Sequence, residues 1–181
     1  MPIRLTRRGA LGGAAALALA SCGGGDPPPA GRPQAGSGAG LLNSIVALEH
    51  AGVAAWAAIA GVLDGEDRAY ARAIRAREQA HVERVSALVR ALGGTPPAGR
   101  PQSEYERMFP RMSDPADALH FARDLEARLV RAYLDALRSL PDTEQRRTAA
   151  EIAAEEAEDL AVVHVLAGTA AAPEAFVTGT S

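Results

Sequence analysis

Lysine is missing from this chain: all 19 of its basic residues are arginine. Cysteine occurs once, at Cys22, so no internal disulfide can form. Aromatic side chains make up only 4% of the 181 residues, too few for a base-stacking platform of the kind that binds single-stranded nucleic acid. Runs of alternating β-branched residues are absent, which argues against a sheet-built domain. No glycine-rich phosphate loop and no Ser or Cys nucleophile motif is found. What remains is rich in Ala, Leu, Arg and Glu, the strong helix formers, in a chain that is 48% hydrophobic. The expectation is one all-α domain of closely packed helices.

The first 21 residues stand apart from that domain. They combine a basic start, an apolar stretch from Leu11 to Ala20, and small residues before Cys22. The stretch is too short to span a bilayer and fits a secretory leader. A short buried helix is the alternative, but Arg7 and Arg8 before it and glycines after it favour the leader. "LASC", Leu19 to Cys22, resembles the lipobox of bacterial lipoproteins. That resemblance implies cleavage before Cys22, lipid on its sulfur, and a membrane contact made through the lipid. "TRRGAL" resembles a twin-arginine export signal. The Phe-Leu that usually follows the arginines is absent, so the general secretory route stays open, as does the choice between periplasm and the outer face of a single membrane.

Residues 22–40, the lipidated cysteine and a Gly- and Pro-rich stretch, read as a flexible tether. Residues 171–181 read as a C-terminal tail. Loss of the leader removes three arginines and no acid, leaving 16 arginines against 22 acidic residues, a net charge of −6. That balance argues against a nucleic-acid partner.

Between 41 and 170 the apolar spacing is helical, in steps of three and four. The inward face of the first helix reads Leu42, Ile45, Glu49, Val53, Trp56, Ile59 and Leu63; that of the second, Ile74, Glu78, His81, Val85, Leu88 and Leu92. Residues 93–114 form a long connection with a short helical turn near Ser103 to Phe109. Ser113 or Asp114 caps the third helix, with face Leu119, Ala122, Glu126, Leu129, Tyr133 and Leu137. Asp142 or Thr143 caps the fourth, with face Ile152, Glu156, Asp159, Val163 and Leu166. In this last helix Glu155 with Glu158 is the competing pair. Glu156 with Asp159 is preferred because Ile152, Val163 and Leu166 then align with Ile74, Val85 and Leu88.

The two halves repeat. "LEHAGVAAW" (48–56) parallels "LEARLVRAY" (125–133), each with an aromatic seven residues after its Glu. "EQAHVERVSAL" (78–88) parallels "EAEDLAVVHVL" (156–166). Two related helical hairpins joined by a long crossover make an antiparallel four-helix bundle. Each inward face then carries acids near its middle. Glu78 and His81 share a helix face at i, i+3, as do Glu156 and Asp159, and Glu49 and Glu126 arrive from the other two helices. Uncompensated, so many buried acids would repel one another and resist desolvation; a bound cation removes both problems. Carboxylates with imidazole suit iron, manganese or zinc.

Here the sequence resembles the ferritin-like four-helix bundles with a carboxylate-bridged di-metal site, and most of all their small exported bacterial members, over residues 41–168 and in the tail "PEAFVTG". The family pattern is a Glu on each of two helices and Glu-x-x-His on each of the other two. Glu49, Glu78, His81, Glu126 and Glu156 match it; Asp159 stands where the family has His. The resemblance implies a metal set of Glu49, Glu78, His81, Glu126, Glu156 and Asp159 holding iron or manganese, and oxidation of Fe(II) by oxygen or peroxide. The Asp departure opens two alternatives: a single metal held by Glu49, Glu78, His81 and Glu126, or a non-catalytic envelope scaffold that has lost its site. A storage cage fits poorly with a lipid anchor. Trp56 and Tyr133 read as core packing, and in a working di-iron site Tyr133 would be a redox-active neighbour. His50, His120 and His164 lie off the inward faces. Arg72, Arg75, Arg77 and Arg84 read as a solvated charged face. The protein partner is open, and so is a homodimer.

Overall fold

The computed structural model describes residues 36–172 and Gly179. The leader, Cys22, the tether up to residue 35 and tail residues 173–178 and 180–181 lie outside the described residues. Within the described residues there are five helices and no strand: α1 (Gly36–Val62), α2 (Gly65–Ala91), α3 (Gln102–Glu106), α4 (Pro115–Ser139) and α5 (Thr143–Leu166). The four long ones run roughly 36 to 40 Å each at 1.5 Å per residue.

Local chemistry sets their ends. The Asp114 side chain accepts from the Asp117 N–H at 2.9 Å, and Pro115 fills the first helical position of α4. Asp142 accepts from the N–H groups of Glu144 and Gln145, at 2.9 and 3.0 Å, and starts α5. Both hairpins stop in the same way. Gly93 has φ +75°; its N–H reaches Arg90 O at 2.9 Å and that of Gly94 reaches Val89 O at 2.9 Å. At the end of α5, Gly168 and Thr169 make the corresponding bonds to Val165 O and His164 O. This double closure requires a left-handed residue, which glycine adopts without strain.

α1 begins at Gly36, five residues inside the stretch read from sequence as tether. Its first turn rests on the end of α2: a Cβ at Gly38 would lie 3.6 Å from Leu92 Cδ1, and one at Gly94 would lie 3.3 Å from the Ala39 Cβ. The glycines that suggest a flexible tether also allow this close approach. α1 is apolar enough, with a mean hydropathy of 1.6, to match a membrane span by composition, yet its inward side carries Glu49 and packs on α2 and α4.

α1 pairs with α2 and α4 with α5, and the hairpins meet through α1–α4 and α2–α5. Tyr133 reaches Glu49 while Trp56 reaches Glu126, so α1 and α4 are antiparallel; Arg77 reaches Asp159 and Arg84 reaches Glu151, so α2 and α5 are too. Residues 92–114 cross the bundle. Gln102 of α3 donates to Ala54 O of α1 at 2.9 Å, and Phe109 packs on Phe121 of α4 with ring centroids 5.2 Å apart.

Besides a small cluster of Ala127, Val130 and Leu160 between α4 and α5, the described residues form two apolar core layers. One holds Trp56, Ile59, Leu63, Ile74, Leu119, Leu129 and Val163. The other holds Leu42, Ile45, Val85, Tyr133, Ala136 and Ile152. Between them lies a polar layer.

Candidate metal centre

Glu49, Glu78, His81, Glu126, Glu156 and Asp159 are all buried, none more than 2% exposed. The chosen register of α5 puts Glu156 and Asp159 inside, while the Glu155 side chain is 43% exposed and Glu158 is exposed. Donor atoms of Glu49, Glu78, His81 and Glu156 lie within 4.8 Å of one another. Glu126 and Asp159 lie outside that set of four. The single-metal set read from sequence thus differs by one member: the structure gathers Glu156 where that reading had Glu126.

The repeat in the sequence becomes a reciprocal pair of hydrogen bonds. Tyr133, seven residues after Glu126, donates its hydroxyl to Glu49 Oε1. Trp56, seven residues after Glu49, donates Nε1–H to Glu126 Oε1 at 2.7 Å. Each aromatic of one half therefore holds the glutamate of the other half. Sequence reasoning reads both as packing. The signal that could have found this was the seven-residue spacing itself, because two helical turns bring the aromatic to the level of the facing glutamate.

The remaining oxygens have no partner. Glu49 Oε2, Glu126 Oε2 and both oxygens of Glu78 and Glu156 are buried without a hydrogen bond, as is His81 Nδ1. His81 Nδ1 lies 2.7 Å from Glu156 Oε1 and 3.8 Å from Glu49 Oε2 without the alignment of a hydrogen bond. Buried polar atoms are almost always satisfied, and orphaned ones cost roughly 1–3 kcal/mol each. A cluster of them converging from α1, α2 and α5 is what a cation-binding centre looks like before the cation is counted. Carboxylate oxygens with one imidazole nitrogen form a mixed oxygen and nitrogen donor set that suits a divalent metal cation.

Electrostatics agree. Burial pushes the Glu49 carboxyl from an ordinary 4.5 up to about 7. Burial, reinforced by the neighbouring carboxylates, holds Glu78, Glu126 and Glu156 well above the ordinary range. Without a cation the dry layer keeps protons; a cation would displace them.

Two side chains on the outer edge complete the centre. Glu155 Oε2 accepts from His81 Nε2–H at 2.8 Å. That bond fixes the tautomer and turns the Nδ1 lone pair toward the carboxylates, as outer carboxylates do for metal-binding histidines. Arg77, expected on a solvated face, instead reaches across to α5. Its Nε donates to Asp159 Oδ2 at 2.9 Å and its Nη2 to Asp159 Oδ1. Burial pushes the Asp159 carboxyl up and Arg77 pulls it back, leaving it above its ordinary value. With Arg84–Glu151, these contacts form a charged ladder along the α2–α5 seam.

Gly52 is the other residue that apolar spacing misses. Val53, placed on the inward face by that spacing, is only half-buried, and Gly52 is buried beside it. A Cβ at Gly52 would lie 2.8 Å from Glu78 Oε2 and 3.1 Å from Glu78 Cδ. The Glu78 carboxylate occupies the space a side chain would take. The remaining histidines stay out of the centre: His120 is exposed, His164 Nδ1 lies 3.0 Å from Thr169 Oγ1, and His50 packs beside Gly99.

A family profile described as a ferritin-like domain matches residues 37–169. Among solved structures the chain is similar to a conserved hypothetical protein from Mycobacterium tuberculosis, at 19% identity and a TM-score of 0.65, over 72% of this chain and 98% of that one. It is similar as well to ferritin like, diiron-carboxylate proteins from Bacillus anthracis str. Ames, at 18% identity and a TM-score of 0.65, over 74% of this chain and 96% of that one. No curated protein matches the sequence.

Proposed function

The chain belongs to the ferritin-like domain family, and from that premise we propose that it is an exported, lipid-anchored protein whose bundle binds iron or manganese in its polar layer. The observation that carries this reading is the convergence, within 4.8 Å, of donor atoms from Glu49, Glu78, His81 and Glu156, many of them buried and unpartnered. With iron bound, the centre would supply redox chemistry, the oxidation of Fe(II) by oxygen or peroxide. The chain's own part is positional. Tyr133 and Trp56 orient Glu49 and Glu126, Glu155 orients His81, and the two apolar layers keep bulk water out.

The test is anaerobic loading of the full-length chain with Fe(II) or Mn(II), desalting, and metal analysis beside a Glu78→Ala, His81→Ala variant. Retained metal that disappears in the variant supports the reading; none retained by the wild type overturns it. Bound metal also raises the melting temperature, by the equivalent of about 2.7 kcal/mol at a hundredfold excess over Kd.

Export and anchoring rest on the leader pattern of residues 1–21 and on Cys22. Cys22→Ser should move the protein from the membrane fraction to the soluble one; a variant that stays with membranes contradicts lipid attachment. Lysines at both Arg7 and Arg8 should block export through a twin-arginine route and leave the general route working. The net charge of −6 after leader removal offers nothing to nucleic acid.

A second reading, a non-catalytic envelope scaffold with a degenerate site, is favoured by one observation: Asp159, at the position of the family's second His, is held by Arg77. A melting temperature indifferent to Fe(II) and Mn(II) would select it.

A further inference from the structure

The halves of the bundle diverge at one pair of positions. An offset of 78 residues maps Glu78 onto Glu156 and His81 onto Asp159, and it also maps Arg77 onto Glu155. In one half the imidazole of His81 faces the carboxylates and is steadied from α5 by Glu155, at 2.8 Å. In the other half Asp159 takes the place of the imidazole and is gripped from α2 by Arg77 through two parallel hydrogen bonds. The pair His81–Glu155 therefore has a counterpart, Asp159–Arg77, in which the inner and outer members have both changed and the charges are reversed.

We propose that this reversed pair fills the second metal position, so that the centre holds one metal ion and the Arg77 guanidinium stands as a fixed cation in place of another. The inference rests on the metal-binding reading above and specifies how many ions that site takes. A two-metal centre does not fit the residues present. The four donors that converge do so without Asp159. Both Asp159 oxygens already accept from Arg77, and the side chain is only 2% exposed. Turning Asp159 toward an ion would break both hydrogen bonds and leave a guanidinium that stays charged at any physiological pH beside that ion. A second divalent ion seated there would meet that positive charge directly. Arg77 supplies charge balance to the nearby carboxylates, the service a second ion would render, and cannot dissociate.

Ions per chain, counted after anaerobic loading with Fe(II) or with Co(II) as a spectroscopic probe, decide the matter. The expected values are one for the wild type, one for Asp159→His, and two for Asp159→His with Arg77→Glu, which makes the second half match the first. Two ions in the wild type would overturn the inference while leaving metal binding intact. Two in Asp159→His alone would overturn the role given to Arg77. One ion in a double variant whose circular dichroism matches the wild type would overturn it as well. No ion in the wild type would sink both this inference and the reading it rests on. Should the double variant fail to fold, the wild type and the single variant still decide.

Discussion

Gly52→Ala should leave the fold standing and damage the centre. In the middle of α1, alanine is better than glycine by about 0.5–1 kcal/mol, because the unfolded chain loses less freedom. Against this stands the contact with Glu78. The new Cβ would lie 2.8 Å from Oε2, where ordinary contact begins at 3.4 Å, so the carboxylate must retreat by about 0.6 Å. The carboxyl lies at the far end of a flexible side chain, so the cost is side-chain strain of about 0.5–1.5 kcal/mol. The two terms nearly cancel, and the metal-free melting temperature should move by no more than about 3 °C. Metal sites tolerate only about ±0.2 Å in donor position, a third of the forced retreat. Affinity for Fe(II) or Mn(II) should therefore fall by roughly 10- to 100-fold. Calorimetric unfolding of metal-free protein and anaerobic titration measure the two effects on one preparation. Wild-type affinity in a folded Gly52→Ala variant would refute the placement of Glu78. A loss of several kcal/mol in the metal-free state would refute the claim that the carboxylate can yield.

Acidity supplies a second prediction. The Glu49 pKa is raised from 4.5 to about 7, so the folded state keeps a proton that the unfolded chain releases. That contribution to stability is fully present below about pH 4.5 and is lost as pH rises through about 7, by up to about 3 kcal/mol for this group. Glu78, Glu126 and Glu156 shift in the same direction. Chelator-treated protein should thus melt at lower temperature as pH goes from 5 to 8, while metal affinity increases; a flat or rising melting temperature contradicts this. Trp56→Phe and Tyr133→Phe each strand a buried carboxylate oxygen, and urea unfolding should register about 1–3 kcal/mol of lost stability for each. Asp142→Ala removes the cap of α5 and should cost about 0.5–2 kcal/mol, with metal stoichiometry unchanged.

The helical hairpins were legible because apolar residues recur at three and four, and because Asp114, Asp142 and Gly93 mark helix ends by local bonds that need no tertiary information. The inward position of the acids was legible for the same reason: Glu78 shares its face with Ile74 and Val85. What escaped lacks a periodic signal. Gly52 has no side chain to register on a hydrophobic face, yet it sets where Glu78 sits. Arg77 starts beside the inward face, and only its length lets it reach Asp159 on another helix. Glu155 looked like a rival for the inner position, whereas its place on the rim lets it hold the far nitrogen of His81. The start of α1 was missed because the composition of a tether and that of a close helix contact coincide in glycine and alanine.

The charged ladder on the α2–α5 seam makes the bundle's two walls unequal. Parting α1 from α4 would expose Trp56, Tyr133 and their glutamates, all of them dry. Along the outer edge of α2 and α5, the side chains of Arg77, Arg84, Glu151 and Glu155 are each about 40% in contact with solvent, while Asp159 and His81, the partners of Arg77 and Glu155, are buried. Water and dissolved ions replace the Arg84–Glu151 contact at little cost, whereas Asp159 and His81 need the wall to close again behind them. This wall is therefore the door. Small openings that admit a hydrated ion or release a proton should occur here first, quicken with ionic strength, and appear as faster amide exchange along α2 and α5 than along α1 and α4.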